Sequence, residues 1–219
     1  MGLALGVLAV AMAVGHAVPG AHLAVGLGMA ASLMAIARVE GVSAAELGLA
    51  RSTWGSGLRW GAGVAGLVAV GYGLAYLVPA VRQVLGDGKG DLGWGVLWAI
   101  LVVVPLATVV PEELAFRGLL LALLGRRRGL RAATLLSSAL FGVWHVVGAL
   151  GGGAANAAIT SVVGGDAAGT VVRVVVTVVF TSLAGIVLCG LRLRSGSLLA
   201  PMLAHWAVNG LGVIVALVA

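Results

Sequence analysis

The sequence predicts an all-α, polytopic transmembrane helix bundle of about seven spans, with a range of about six to eight. Two observations carry this prediction. Hydrophobic residues make up 61% of the 219-residue chain and charged residues only 9%, whereas soluble domains carry about 25% charged residues. The apolar residues also fall into stretches near the roughly 17–25 residues that a helix needs to cross a bilayer.

The predicted spans follow one another along the chain, with two longer connections at 38–58 and 150–168. The first two are separated by Pro19-Gly20 and could instead form a re-entrant hairpin. The fourth is too long for one simple crossing: it either begins as an interfacial turn near 91–94 or is bent at Pro105 and Pro111, which remove helix hydrogen bonds. The seven stretches are 3–18, 21–37, 59–80, 94–124, 131–149, 170–191 and 197–218.

The chain is predicted to divide into two regions at the start of the fourth span. Residues 1–93 supply the N-terminal spans and a cytoplasmic loop near 38–58, in which Ser43 is a candidate N-cap of a short helix. Residues 94–219 supply the remaining four spans, which form a transmembrane core. The Gly/Ala-rich segment 150–168 is expected to be a flexible linker or a gate.

Basic residues are distributed unevenly between the predicted loops. Cytoplasmic loops carry an excess of Lys and Arg, so this bias predicts a cytoplasmic N-terminus. It also explains the formal net charge of +6 without nucleic acid as a partner. The inner loops and their borders hold Arg38, Arg51, Arg59, Arg126, Arg127, Arg128, Arg131, Arg192 and Arg194, against Arg82, Lys89 and an interfacial Arg173 outside.

Three polar motifs interrupt the apolar spans of the second region. An ionisable group at the centre of a membrane helix costs about 2.5–3.5 kcal/mol or more, so a chain that keeps several of them is expected to use them. The motifs are Glu112-Glu113-Leu114-Ala115-Phe116-Arg117, Phe141-Gly142-Val143-Trp144-His145 and His205-Trp206-Ala207-Val208-Asn209.

Helical spacing divides the two adjacent carboxylates into different roles. Residues four apart share a helix face, so Glu113 and Arg117 are expected to pair. Glu112 is turned about 100° away and is left free for chemistry. The same spacing places Phe141 beside His145 and His205 beside Asn209. Phe141 is expected to serve in packing, and these two pairs complete the candidate site.

A free glutamate with two histidines suits the activation of water. On this interpretation His145 orients the water with Glu112, while His205 and Asn209 stabilise the oxyanion. The set of Glu112, His145 and His205 also matches the two-histidine, one-carboxylate pattern of catalytic zinc. Spacing alone does not separate the two mechanisms, and the compact His-Glu-x-x-His zinc signature is absent.

In these motifs the sequence resembles the CPBP family of intramembrane endopeptidases, which includes type II CAAX prenyl proteases and the Abi-like bacteriocin-processing and self-immunity proteins. The family motifs Glu-Glu-x-x-x-Arg, Phe-x-x-x-His and His-x-x-x-Asn/Asp occur here in order, within about residues 95–215. The resemblance implies that residues 94–219 are the catalytic core, a bundle around a polar cavity, with Glu112 and His145 activating water and His205 and Asn209 supporting the oxyanion. Glu113, Arg117 and Phe141 are then structural or substrate-binding.

Members of this family have been described both as metalloproteases and as glutamic peptidases. The residues favour a metal-free glutamate mechanism, since asparagine is a poor zinc ligand and the site already has a base; zinc held by Glu112, His145 and His205 is the alternative. The expected partners are the lipid bilayer and a membrane-associated or lipidated peptide or protein. The Ala/Gly/Val/Arg-rich composition suggests a bacterial plasma membrane. The rival functions are a non-catalytic scaffold or bacteriocin self-immunity protein and, less favoured without inverted repeats, a proton-coupled transporter.

Overall fold

The computed structural model describes residues 1–18, 20–85, 92–151 and 160–218. The protein is 88% helical, and the described residues contain no strand, which confirms the predicted all-α fold. The N-terminal helices are α1 (Gly2–Ala17), α2 (His22–Val39), α3 (Ala44–Leu47), α4 (Trp54–Tyr76) and α5 (Pro79–Leu85). The continuous stretch Trp94–Leu150 contains α6 (94–128), α7 (130–144) and α8 (Val146–Leu150), and α9 (Ala167–Ser195) and α10 (Leu199–Val218) follow.

A break at Gly129 turns the longest helical stretch into a hairpin. Gly129 has φ 76° and ψ 163°, a conformation that a residue with a Cβ rarely adopts. The chain reverses there, and Ser137 Oγ of α7 donates a 2.6 Å hydrogen bond to the Phe116 carbonyl of α6. The two arms coincide with the predicted fourth and fifth spans.

Five described helical stretches are long and apolar enough to cross a membrane, and α1 is a shorter apolar helix. Because Gly129 divides one of the five, seven helical segments correspond to the seven predicted spans. The protein is an integral membrane protein, and its lipid-facing surface is apolar: Leu67 and Phe180 are among its most exposed side chains.

Helix α6 passes through its prolines without ending. The segment Ala99–Val109, which contains Pro105, is π-helical, and Pro111 lies in the first turn of the α-helical Val110–Glu113. A second π-helical segment, Leu114–Leu120, follows directly. Proline has no N–H for the i→i−4 ladder, so a local change of helix type accommodates it. The alternative of an interfacial turn at Asp91 lies outside the described residues.

The predicted short helix in the 38–58 loop is α3, and its Ser43 N-cap is confirmed. Ser43 Oγ accepts from the Glu46 amide while the Glu46 carboxylate accepts from the Ser43 amide, a capping box. Arg126 of α6 bonds the same carboxylate at 2.8 Å, and these contacts lower the pKa of Glu46 to about 2. Arg192 of α9 donates to the Ala45 and Glu46 carbonyls. The loop is therefore docked on the bundle.

Glycines allow pairs of helices to approach within backbone contact. A Cβ on Gly26 of α2 would lie 2.5 Å from the Cα of Ala107 in α6, and a Cβ on Gly61 of α4 would lie 2.8 Å from Leu203 of α10. Gly142 of α7 lies against Ser182 and the Val178 carbonyl of α9. Small residues at such contacts are the usual means of packing membrane helices closely. Of segment 150–168, residues 152–159 lie outside the described residues.

Gly26→Ala is expected to destabilise the protein by about 1–3 kcal/mol, because the added methyl group overpacks the α2–α6 contact against backbone. Gly28→Ala, two residues along the same helix, is the matched control, since its Cβ meets no described atom within 4 Å. Thermal unfolding in detergent measures both. Equal midpoints for the two variants would contradict the close α2–α6 packing.

Candidate active site

The three motifs meet around the Glu113 carboxylate and its Arg117 partner. Glu113 Oε1 of α6 accepts a 3.0 Å hydrogen bond from Arg117 Nη1, four residues along the helix, which is the pair predicted from spacing. The same oxygen lies 2.8 Å from His205 Nδ1 of α10. The Arg117 guanidinium lies over the Phe141 ring of α7, 3.9 Å from its centroid. Glu113 and Arg117 are both fully buried, so these contacts join α6, α7 and α10 inside the bundle.

Glu112 has one restrained oxygen and one free oxygen. Its Oε1 accepts a 2.9 Å hydrogen bond from Trp144 Nε1 of α7. Its Oε2 is buried and has no hydrogen-bond partner among the described residues. This oxygen lies 4.0 Å from His205 Nε2. Glu112 thus differs from Glu113 in having no bonded cation, as the helical spacing predicted.

His145 joins the site through the Phe141 ring. Its Nδ1 donates to the Phe141 carbonyl at 2.7 Å, because a carbonyl oxygen only accepts. This bond leaves Nε2 as the acceptor nitrogen of a neutral ring. The ring of Phe141 lies edge-on to both histidines, with centroids 4.6 Å from His145 and 5.9 Å from His205. Phe141 therefore spaces the two imidazoles, and no described hydrogen bond joins His145 to Glu112.

Asn209 and the two histidines line a common cavity of about 410 Å³ between α4, α7, α9 and α10. Asn209 lies in a third π-helical segment, Ala207–Leu211, one turn beyond His205, so both face the cavity as predicted. The remaining wall is apolar except for Thr181, and its outer part includes the exposed Phe180 and Val187 of α9. Apolar walls with a few convergent polar groups are typical of a ligand site.

Unpartnered polar atoms are concentrated at this place. Among the described residues, five buried side-chain polar atoms have no hydrogen-bond partner, and four of them belong to Glu112, Glu113 and Arg117. Native proteins leave few buried polar atoms unsatisfied, and those that remain commonly mark functional sites. The arrangement is therefore able to bind water or the polar backbone of a peptide.

Two contacts of the site do not follow from the motif spacings. The bond between Glu113 and His205 joins helices that are far apart in sequence, and helical periodicity carries no information about it. The motifs gave Trp144 no catalytic or binding role, only a place beside His145 as a possible lining residue of the cavity. Its position directly before His145 was the available clue, but its bond to Glu112 depends on the register of the α6–α7 hairpin.

The zinc alternative requires three ligands to meet. Glu112 Oε2 and His205 Nε2 face each other, and both are chemically suitable. No group of three or more His, Cys, Asp or Glu side chains in the described part of the chain is arranged to hold a metal ion. The third ligand of the proposed set, His145, does not complete the pair.

The site thus combines a buried carboxylate, Glu112, with a cavity that two histidines and an asparagine line inside a membrane helix bundle, an arrangement that fits an intramembrane hydrolase. The model of the type II CAAX prenyl endopeptidase Rce1-like family matches residues 93–211, more than half of the chain. The chain belongs to this family and is a CAAX-type intramembrane endopeptidase. Comparisons with curated proteins and with solved structures gave no match.

Arg117→Met is expected to destabilise the fold by about 3–5 kcal/mol, because it removes the cation bonded to the buried Glu113. Adding Glu113→Gln to Arg117→Met is expected to recover part of this loss, because the carboxylate that has lost its Arg117 partner is then replaced by a neutral amide. Unfolding of the two single variants and the double variant in detergent gives the coupling energy. Strictly additive losses would show that the ion pair is energetically unimportant.

Proposed function

We propose that the protein hydrolyses peptide bonds of membrane-associated or lipidated peptides and proteins by means of water activated at Glu112. The observation that carries the proposal is the unpartnered, buried Glu112 Oε2 facing His205 Nε2 at 4.0 Å, next to a cavity that His145, His205 and Asn209 line. An unpartnered carboxylate oxygen in an otherwise apolar bundle is energetically costly, and a group retained at such a cost commonly has a chemical role.

In the proposed reaction Glu112 Oε2 takes a proton from water while the water oxygen bonds to the scissile carbonyl carbon. The carbonyl π electrons move to oxygen, and the resulting oxyanion accepts hydrogen bonds from His205 and Asn209. When the tetrahedral intermediate collapses, the C–N bond breaks and the protonated Glu112 returns its proton to the leaving nitrogen. The acceptor Nε2 of His145 helps to orient the water.

The charges of the site support the donor role of His205. Its Nδ1 donates to the Glu113 carboxylate, so its Nε2 can donate to an oxyanion only if the ring is an imidazolium. With that imidazolium, Glu112, Glu113, Arg117 and His205 carry two negative and two positive charges. A neutral set is the least costly in a low-dielectric interior.

The apolar outer wall of the cavity supports the proposed substrate class. The cavity lies between α4 and α9, where Val64, Val68 and Phe180 offer surface to an apolar peptide segment or lipid chain. A soluble, highly charged peptide would find no matching surface there. The same wall would suit a membrane-embedded stretch of polypeptide.

Glu112→Gln is expected to abolish cleavage, by about 10²-fold or more, because the amide cannot accept the water proton. Membranes with wild-type protein and with this variant, at matched folded levels, are compared by mass spectrometry of new peptide termini. Glu40→Gln is the control: this carboxylate bonds the N-terminal ammonium rather than a site residue. New peptide termini should appear only in the membranes with wild-type protein and in those with Glu40→Gln.

Identical termini in all three samples would contradict the peptidase proposal and favour the scaffold or self-immunity role on the same fold. Repeating the wild-type reaction with a chelator tests the mechanism separately. Retained cleavage supports the glutamate mechanism, and loss that zinc restores supports the metal alternative.

A further inference from the structure

Each motif histidine has a tryptophan as its neighbour in the sequence, and the two indole N–H groups have different partners. Trp144, directly before His145, donates to Glu112 Oε1 at 2.9 Å. Trp206, directly after His205, donates to the Ile100 backbone carbonyl at 3.0 Å. Both side chains are partly buried. The pair therefore offers an internal comparison between a hydrogen bond to the proposed base and one to the backbone.

The bond from Trp144 fixes the orientation of the Glu112 carboxylate. On an unrestrained side chain the carboxylate, whose two oxygens are equivalent, turns about the terminal torsion, which is broad and roughly two-fold. With Oε1 held by the indole, Oε2 is left facing His205 Nε2. Trp144 is itself held by an edge-on contact with the Phe116 ring, 6.2 Å between centroids, across the α6–α7 hairpin.

We propose that Trp144 is a positioning residue that fixes Glu112 Oε1 through its indole N–H and so presents Oε2 as the base. The inference rests on the proposed function, since it assigns Trp144 a role in the same reaction. A hydrogen bond to an ionised group is stronger than one between neutral groups, and it also favours the ionised form that accepts the proton. Trp144 thereby contributes both the orientation and the charge state of the base.

The other charged and titratable groups around Glu112 are the same with or without the indole. Glu113 and Arg117 lie on α6, His205 lies on α10 and His145 directly follows α7, and the Glu113 carboxylate is bonded to Arg117 and His205. Removing the Trp144 N–H leaves all of these bonds in place. A change in the pH dependence of the variant therefore reports the lost indole bond.

Trp144→Phe is expected to lower kcat about 10- to 100-fold with KM nearly unchanged, because a charge-assisted hydrogen bond is lost while an aromatic ring remains. The acidic limb of the kcat profile should move to higher pH by about one unit. In Trp206→Phe the limb should stay at the wild-type position. The substrate is a peptide whose cleavage sequence the new termini have defined.

A second replacement separates the N–H from the shape of the ring. Benzothienylalanine at position 144 carries sulfur in place of the indole N–H and keeps the bicyclic ring, so its kcat and pH profile should match those of Trp144→Phe. A profile like that of the wild type would overturn the proposal. An equal shift in Trp206→Phe would overturn it as well, since a general packing effect would then explain both.

The contact is also tested by a measurement that does not depend on activity, the chemical shift of the Trp144 indole N–H in ¹⁵N-tryptophan-labelled protein. This resonance is assigned by its loss in Trp144→Phe. It should lie downfield in the wild type and move upfield in Glu112→Gln, where the acceptor is neutral. An unchanged resonance would overturn the proposal.

If Glu112→Gln cleaves normally, the proposed function and the positioning role both fail; if it is inactive and Trp144→Phe behaves as wild type, only the positioning role fails.

Discussion

The buried Glu113 carboxylate is the interaction on which the arrangement of the site depends. One oxygen binds both the Arg117 guanidinium of α6 and the His205 ring of α10, while Arg117 lies on the Phe141 ring of α7. In a bilayer these groups cannot be stabilised by surrounding water, so they have to find one another. This requirement fixes the rotation of three helices about their axes. Glu112, one residue earlier and turned away, is then directed at the nitrogen of His205 that Glu113 leaves free.

Close helix packing determines what lies around these polar groups. Gly142 follows Phe141 and lies against the backbone of α9, and Gly185 of α9 lies against Ser138 of α7. Gly61 allows α4 to approach Leu203, two residues before His205. The glycines bring apolar walls from α4 and α9 up to the histidines and leave a cavity between them. The polar groups and the small residues therefore have complementary effects: the first set the orientation of the helices and the second set their separation.

The sequence predicted the elements whose cause is local. Composition and stretch length predicted the spans, the i, i+4 rule predicted the Glu113–Arg117 pair, and Ser43 with Glu46 formed the expected capping box. The resemblance in the three motifs predicted the family, and the match of the family model confirms it. Contacts between helices were not predictable in this way: the bond of His205 to Glu113 and that of Trp144 to Glu112 depend on how the helices are rotated and on the register of the hairpin at Gly129. The division at residue 93 and the cytoplasmic N-terminus stay predictions.

The unpartnered polar atoms of the site have a cost that the rest of the bundle avoids. Leaving a buried donor or acceptor unsatisfied costs about 1–3 kcal/mol, and more when the group is charged. In the described part of the chain, Glu112, Glu113 and Arg117 account for all but one of these atoms, and the exception is Nε of Arg192. Proteins violate polar satisfaction chiefly where function requires it. A hydrolase inside a membrane needs polar atoms that can hold water and a peptide carbonyl, so they must not be saturated by the protein. Both glutamates keep one unpartnered oxygen, but they differ in their other contacts. Glu113 binds Arg117 and His205 through its Oε1 and so orders the site, whereas the unpartnered Oε2 of Glu112 faces His205 Nε2, which suits the role of base that we propose for it.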